Sequence, residues 1–362
     1  MMENDFVIAD RKIGANHATY FIADIAANHD GDLGRAKELI HLAAEAGANA
    51  AKFQHFQARS IVSDAGFRAL GDQQSHQANW EKSVFDIYQD ASVDLGWTPL
   101  LKEACDEAGI AFFTTPYSLE LVDHIDSYVP AYKIGSGDIT WHEIIRYTAA
   151  KRKPIILATG ASSANEVVEA VEQVLGVNRQ LALMQCNTNY SGSLDNMRHI
   201  QLNVLKTYRT MFPGVVLGLS DHTPGHATVL GAVALDARII EKHFTDDTSR
   251  IGPDHCFSMD PKAWREMVDR TRELENALGT GIKRVEGNES DTVVLQRRSI
   301  RLKRSISAGQ KLALEDLEVL RPCPEDALPP KFMDILAGKV IRANRGEGDY
   351  IRFSDIDLTF TE

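Results

Sequence analysis

The sequence predicts an α/β protein in which a (β/α)8 barrel is followed by a small, separate C-terminal domain. Three observations lead there. Eight short apolar runs alternate with stretches of helical periodicity, the pattern of a parallel sheet covered by helices. Polar side chains gather at the carboxyl ends of those runs, where parallel barrels keep their chemistry. After Gly279 the alternation stops and a polar stretch leads into a different pattern. An open doubly wound sheet shares the alternation, but eight units is a barrel count.

In chain order, the first barrel strand spans residues 20–24. The loop Asn28-His29-Asp30-Gly31-Asp32 follows, with Asp32 placed to cap a helix over 33–46 that Gly47 ends. A second strand covers 48–53, and Lys52 and Gln54 point away from the side that Phe53 takes. The polar stretch 58–81 is long enough to be a working loop or lid. Strands then fall near 110–113, 131–134, 154–158, 181–184, 215–219 and 238–241. Helical patterns lie between them, among them 99–108, 164–175 and 226–235, and the last helix covers 261–278. The barrel therefore takes residues 1–279, a linker 280–293 and the C-terminal domain 294–362. Within that domain Gly309, Leu312, Leu314, Asp316 and Leu317 recur in register as Gly348, Ile351, Phe353, Asp355 and Ile356. Such a repeat implies a small pseudo-symmetric module of short strands and turns.

Composition narrows the function classes. A net charge of −12 argues against a nucleic-acid partner, which calls for a basic face. Cys105, Cys186, Cys256 and Cys323 are widely spaced, so neither a zinc knuckle nor a disulfide framework is expected and a reducing cytoplasm is the simplest home. The acidic start Met1-Met2-Glu3-Asn4-Asp5 does not read as a signal peptide. No apolar run approaches the roughly 18 residues of a membrane span.

The strand ends carry Asp24, Lys52, Gln54, Thr115, Lys133, Ser136, Asp138, Thr188, Tyr190, Ser220, His222 and His243. If the strands bearing His222 and His243 are neighbours, the two imidazoles emerge side by side and suit a divalent metal. Two separately hydrogen-bonded histidines are the plainer alternative. Lys52 and Lys133 could be surface residues singly. Together with Ser136, Ser220 and the glycines of Lys133-Ile134-Gly135-Ser136-Gly137 they form a pocket for a phosphate or carboxylate dianion. Asp254, after Pro253, is either a turn residue or an acceptor of sugar hydroxyls. Neither a Rossmann or P-loop glycine signature nor a nucleophilic triad is found.

Several ordered blocks resemble the sialic acid synthase family. They are Ile22-Ala23-Asp24-Ile25-Ala26-Ala27-Asn28-His29-Asp30-Gly31, Lys52-Phe53-Gln54, Thr115-Pro116-Tyr117-Ser118, Tyr132-Lys133-Ile134-Gly135-Ser136-Gly137, Gly218-Leu219-Ser220-Asp221-His222-Thr223, Glu241-Lys242-His243-Phe244-Thr245 and Gly252-Pro253-Asp254-His255. Residues 296–357, with Leu320-Arg321-Pro322, resemble that family's antifreeze-like (SAF, β-clip) domain. The resemblance implies condensation of phosphoenolpyruvate with an N-acetylated hexose to a nonulosonic, sialic-type acid and phosphate. The acceptor would be N-acetylmannosamine or a 2,4-diacetamido-trideoxyhexose, and Gly252-Pro253-Asp254-His255 leans to the neuraminic and legionaminic products. The cofactor would be a divalent metal, Mn2+ or else Mg2+ or Co2+, on His222 and His243.

Asp24, Lys52, Lys133 and the two histidines would form the catalytic set. Gln54, Thr115, Tyr117, Ser136, Asp138, Thr188, Tyr190, Ser220 and Asp254 would bind substrates. Arg321 would reach the sugar from the partner subunit of a domain-swapped homodimer. This chain has Asp24 and Asp138 where the family usually has Glu, and Ala158 where Ser is usual, so the phosphate grip and the sugar-facing wall differ from the common pattern. Two other readings stay open: a sugar-binding sensor without turnover, and a related phosphoenolpyruvate-dependent synthase with a different acceptor.

Overall fold

The structure, a computed structural model, describes residues 5–70 and 82–357. Of the polar stretch 58–81, residues 71–81 therefore lie outside the described residues. The chain divides into two units, Met1–Gly279 and Thr280–Glu362.

The first unit opens with an antiparallel hairpin, β1 (Phe6–Ile8) and β2 (Arg11–Ile13), that the sequence reading did not anticipate. Strands of three residues are too short to establish a period of two. Eight parallel strands follow: β3 (Tyr20–Asp24), β4 (Ala50–His55), β5 (Ala111–Pro116), β6 (Tyr132–Ile134), β7 (Ile155–Ala158), β8 (Leu181–Cys186), β9 (Val216–Asp221) and β10 (Ala237–His243). Their order is β5-β4-β3-β10-β9-β8-β7-β6, and the two end strands, β5 and β6, lie side by side to give a nearly closed barrel.

Helices wrap the outside. Leu33–Glu45 begins where Asp32 Oδ1 accepts from Arg35 N at 3.0 Å. Ala164–Leu175 starts on a Ser163/Glu166 capping box. Pro261–Leu278 starts with Pro at its first position behind the Asp260 cap, and its Trp264 is fully buried against Phe244. The outer core between strands and helices is rich in Ile, Val, Leu and Ala, as expected for strands buried on both faces. Inside the barrel, Ile22, Ala50, Phe113, Ala131, Ile156, Met184 and Ile239 form a lower layer that the hairpin's Phe6, Ile8 and Ile13 close off. Gly218 belongs to this tight interior: a Cβ there would stand 2.7 Å from the Ile239 carbonyl oxygen and 3.0 Å from Met184 Cγ.

The segment expected as a loop after β4 is partly helical, with short helices Ala58–Ile61 and Asp64–Leu70, and a further helix Val84–Ala91 follows the undescribed residues. Likewise the expected linker holds a 3-10 turn, Gly287–Glu289, and a two-turn helix, Ser290–Gln296, both exposed.

The second unit pairs β11 (Ser299–Leu302) with β12 (Leu317–Leu320) antiparallel, and isolated antiparallel bridges such as Ile306–Arg345 and Ile341–Ile356 extend the pairing. Its core is Ile300, Leu302, Ile306, Leu312, Leu317, Leu328, Leu336, Ile341, Ile351 and Ile356. The sequence repeat is a repeat of local structure. Gly309 and Gly348 both have positive φ, near 86° and 81°. Leu314–Asp316 and Phe353–Asp355 are matching 3-10 turns, and the buried Asp316 and Asp355 each accept from the backbone N–H three residues back, at 3.1 and 3.0 Å. Each aspartate is also paired with an arginine, Arg304 or Arg345. Among the described residues, no helix is long and apolar enough to cross a membrane.

Candidate active site

Two residues beyond the sealed layer, the same strands change character. Ladder partners bring Asp24 beside His243 on one side and Lys52 on the other, and Glu241 beside Ser220, which itself faces Cys186. These side chains line a cavity of about 340 Å³ at the carboxyl ends of the strands, together with Thr115, Tyr117, Lys133, Ser136, Asp138, Tyr190 and His222. A smaller chamber of about 140 Å³ shares Gln54, Tyr117, Tyr190 and His243 with it and adds Ile87, Pro253 and Asp254.

The charges are buried and paired. Lys52 Nζ lies 2.7 Å from Asp24 Oδ2, and Lys133 Nζ lies 3.3 Å from Glu241 Oε1, which also accepts from Ser220 Oγ at 3.2 Å. Burial works against the Lys52 ammonium, but the charges of Asp24 and Glu241 outweigh it and hold the group above its ordinary value. Asp24 Oδ1, Glu241 Oε2 and Asp138 Oδ2 are buried without a hydrogen-bond partner. An unpartnered carboxylate oxygen costs free energy unless something binds it, so these atoms mark a surface built to meet a ligand.

His222 and His243 do converge, with ring centroids 5.3 Å apart. The His222 Nδ1 faces the Asn187 carbonyl at 2.9 Å, so a neutral ring donates there and keeps the Nε2 lone pair. Burial lowers both imidazoles below their ordinary range, His243 the more strongly because His222 adds to the effect. His243 Nδ1 has no partner, and its Nε2 lies 3.5 Å from Asp24 Oδ2. Tyr190 and Phe257 stack edge-on against both rings and dry their surroundings.

Asp254 is more than a turn residue. One oxygen accepts from Ala27 N at 3.1 Å, and burial raises the carboxyl to about 7. Burial likewise lifts Asp138 to about 6. The loop bearing Asp254 is held from behind: His255 Nε2 meets Asp30 Oδ1 at 2.9 Å, and Arg250 pairs with the same carboxylate at 2.7 Å. Asn28 Nδ2 ties the β3 loop to the Phe244 carbonyl and to Ser258 Oγ, both at 2.9 Å.

One expected substrate-binding residue of the barrel, Thr188, sits beside the cavity lining, next to Ser136 and Cys186. It lines neither cavity itself. It packs on Gly160, where a Cβ would stand only 2.3 Å from its Cγ2, while the Gly160 N–H donates to Ser136 Oγ at 2.9 Å. Arg321 belongs to the second unit, where it is exposed.

Among the contributors not singled out from the sequence are Glu241, Phe56, Ile61 and Tyr88. Glu241 was within reach, because it precedes His243 by two residues and so shares its face. Phe56 and Tyr88 come from the segment after β4, where nothing in the pattern marks an inward side.

Comparison with known proteins shows the family. The NeuB family model matches residues 39–283, and a SAF domain model matches residues 297–357. The chain belongs to the NeuB family. NeuB members are phosphoenolpyruvate-condensing nonulosonic acid synthases, transferases of the sialic acid synthase type. An uncharacterised protein of Methanocaldococcus jannaschii is 35% identical across 96% of this NeuB chain and 98% of its own length. The N,N'-diacetyllegionaminic acid synthase of Legionella pneumophila is 33% identical across 95% of this chain and 96% of its own. Among solved structures, the N-acetylneuraminic acid synthetase of Leptospira borgpetersenii superposes with a TM-score of 0.70 at 28% identity, covering 81% of this chain and 96% of that one.

Proposed function

We propose that this NeuB-family chain condenses phosphoenolpyruvate with the open-chain form of an uncharged N-acetylated hexose, giving a nonulosonic acid and phosphate. The observation that carries the reading is one buried cavity with two lysines on one wall and two neutral imidazoles on the other. Lys52 and Lys133 supply the charge that a phosphate and carboxylate require in a dry site, with Ser136 and Ser220 as hydroxyl donors. Asp24 and Glu241, each with a free oxygen, face the positive charge that develops at C2 once the enol carbon has attacked the aldehyde. Water then adds at C2 and phosphate leaves. The smaller chamber would take the acceptor. Its described walls are Ala, Tyr, Phe, Ile, Pro, Gln and His243 with Asp254 as the one carboxyl, which suits hydroxyl and acetamido groups and offers no lysine or arginine to a phosphorylated sugar.

The two histidines fit a divalent cation. Both present neutral nitrogen, and neutral imidazole is what Mn2+ or a similar ion needs. Among the described residues no cluster of three His, Cys, Asp or Glu side chains forms a complete protein cage, so further positions would fall to substrate and water. A bound ion would polarise the acceptor aldehyde as a Lewis acid. Arg321 is proposed to complete the acceptor site from the partner of a domain-swapped homodimer, a reading supported by the resemblance of its segment. Mixing inactive Arg321→Ala and His222→Ala proteins should then restore activity toward a quarter of wild type, roughly, at full subunit exchange. No recovery despite exchange would exclude it.

The test of function is product mass. Phosphoenolpyruvate, Mn2+ and a panel containing N-acetylmannosamine, its 6-phosphate and 2,4-diacetamido-trideoxyhexoses should give acceptor plus one pyruvate unit from an unphosphorylated sugar. Binding of both substrates with no product from any acceptor would favour the sensor reading.

A further inference from the structure

Directly behind His222 and His243 sits a second charged group that the chemistry above does not use. Asp221 and Lys242 face each other across the β9–β10 ladder. Alternation puts them on the outer side of the sheet, because Ser220, His222, Glu241 and His243 take the inner one. Both are almost fully buried, and Lys242 Nζ lies 2.5 Å from Asp221 Oδ2. The core on that side of the sheet is apolar and includes Leu219, Ile240, Val229 and Val233. Two charges in such a layer carry a desolvation cost that well-packed apolar side chains of similar size avoid. Stability alone is a weak reason for them to be there.

Their hydrogen bonds show what they do hold. The ladder strand β9 ends at Asp221, so the backbone at His222 and Thr223 has no strand partner to fix it. Lys242 Nζ reaches past that end and donates to the Thr223 carbonyl at 2.5 Å. Asp221 accepts from Thr223 N at 3.3 Å, from Thr223 Oγ1 at 2.8 Å and from Thr228 Oγ1, in the first turn of helix Ala227–Ala234, at 2.7 Å. Every residue bonded here is a chain neighbour of one of the two histidines or a brace on that neighbour.

We propose that Asp221 and Lys242, braced by Thr228, are positioning residues: a buried ionic clamp that fixes the free end of β9 against β10 so that His222 and His243 present their nitrogens to one divalent cation. The clamp rests on the metal reading of the proposed function and adds to it the residues that set the spacing of the ligands.

The experiment titrates the metal-free full-length chain with Mn2+ and reads free Mn2+ by electron paramagnetic resonance. The variant is Asp221→Asn/Lys242→Met, which removes both charges together and leaves no unpaired one. The clamp predicts at least tenfold weaker Mn2+ binding, with the wild-type circular dichroism spectrum and with metal-free phosphoenolpyruvate affinity within threefold. Unchanged Mn2+ affinity in the folded variant overturns it. If the double variant does not fold, Thr228→Val decides, since it removes one brace and no charge. At least threefold weaker Mn2+ binding supports the clamp, and unchanged binding overturns it. Failure of the wild-type chain to bind Mn2+ is a separate result, which overturns the metal reading and the clamp with it.

Discussion

The two ends of the barrel interior are made by the same strands and differ by one step of alternation. At the amino-terminal end the inward residues are Ile22, Ala50, Phe113, Ala131, Ile156, Met184 and Ile239, and the hairpin residues Phe6, Ile8 and Ile13 seal them from water. Two positions along, the inward residues are Asp24, Lys52, Thr115, Lys133, Ala158, Cys186 and Glu241. The lower layer gains free energy from burial. The upper layer holds two ammonium and two carboxylate groups out of water, with one oxygen of each carboxylate lacking a partner. The comparison teaches that the site is held in place by its neighbours rather than by its own interactions, so the two layers should respond to mutation in opposite ways.

The sharpest way to break that contrast is to neutralise an upper-layer pair. Asp24→Asn/Lys52→Met deletes one buried ion pair together with a proposed phosphoenolpyruvate contact. Catalytic efficiency should fall by about a thousandfold, in keeping with the roughly 2–5 kcal/mol lost when a buried charged contact is removed. Thermal unfolding should be unchanged or shifted upward, since replacing a buried pair is often neutral or stabilising. Activity within tenfold of wild type, or a large fall in melting temperature, would contradict the account.

The lower layer should behave in reverse. Phe113→Ala empties a fully buried ring position and should lower stability by about 3–5 kcal/mol. In the protein that remains folded, phosphoenolpyruvate affinity measured by calorimetry should stay within about threefold. A comparable loss of affinity and stability would mean the layers are not separable.

The smallest effect separates stability from function at one residue. Burial raises the Asp254 carboxyl from 3.8 to about 7 in the folded chain, so the native state binds a proton that the unfolded chain has released between those values. Its contribution favours the fold below pH 4 and is lost as pH rises through about 7. Asp254→Asn should therefore raise stability at pH 8 relative to wild type, by up to about 4 kcal/mol, and leave stability at pH 4 nearly unchanged. Its acceptor KM should rise. Parallel unfolding curves at the two pH values would show that Asp254 is not held protonated by burial.

Much of this was legible because strand alternation and strand-end chemistry are local signals. Lys52, Lys133, Ser220, His222 and His243 could be placed at one mouth once eight units were counted. Glu241 was equally legible, yet a carboxylate next to a lysine reads as an ordinary surface pair until the barrel is closed. The hairpin was not readable, since three-residue strands acquire their meaning only from the barrel floor they cover. Helix Val84–Ala91 brings Ile87 and Tyr88 to the site by tertiary packing, which a lone eight-residue pattern cannot specify. Thr188 is a related case: its neighbour Gly160, and not only its position after a strand, decides where it packs, beside Ser136.

The central claim is that the upper layer joins phosphoenolpyruvate to a sugar, and phosphate release tests it most directly. The full-length chain with Mn2+, an unphosphorylated N-acetylated hexose and phosphoenolpyruvate should release one phosphate for each nonulosonic acid formed, and none when either the sugar or the metal is withheld. Phosphate released from phosphoenolpyruvate alone, or tight binding of both substrates with no phosphate released, would contradict it.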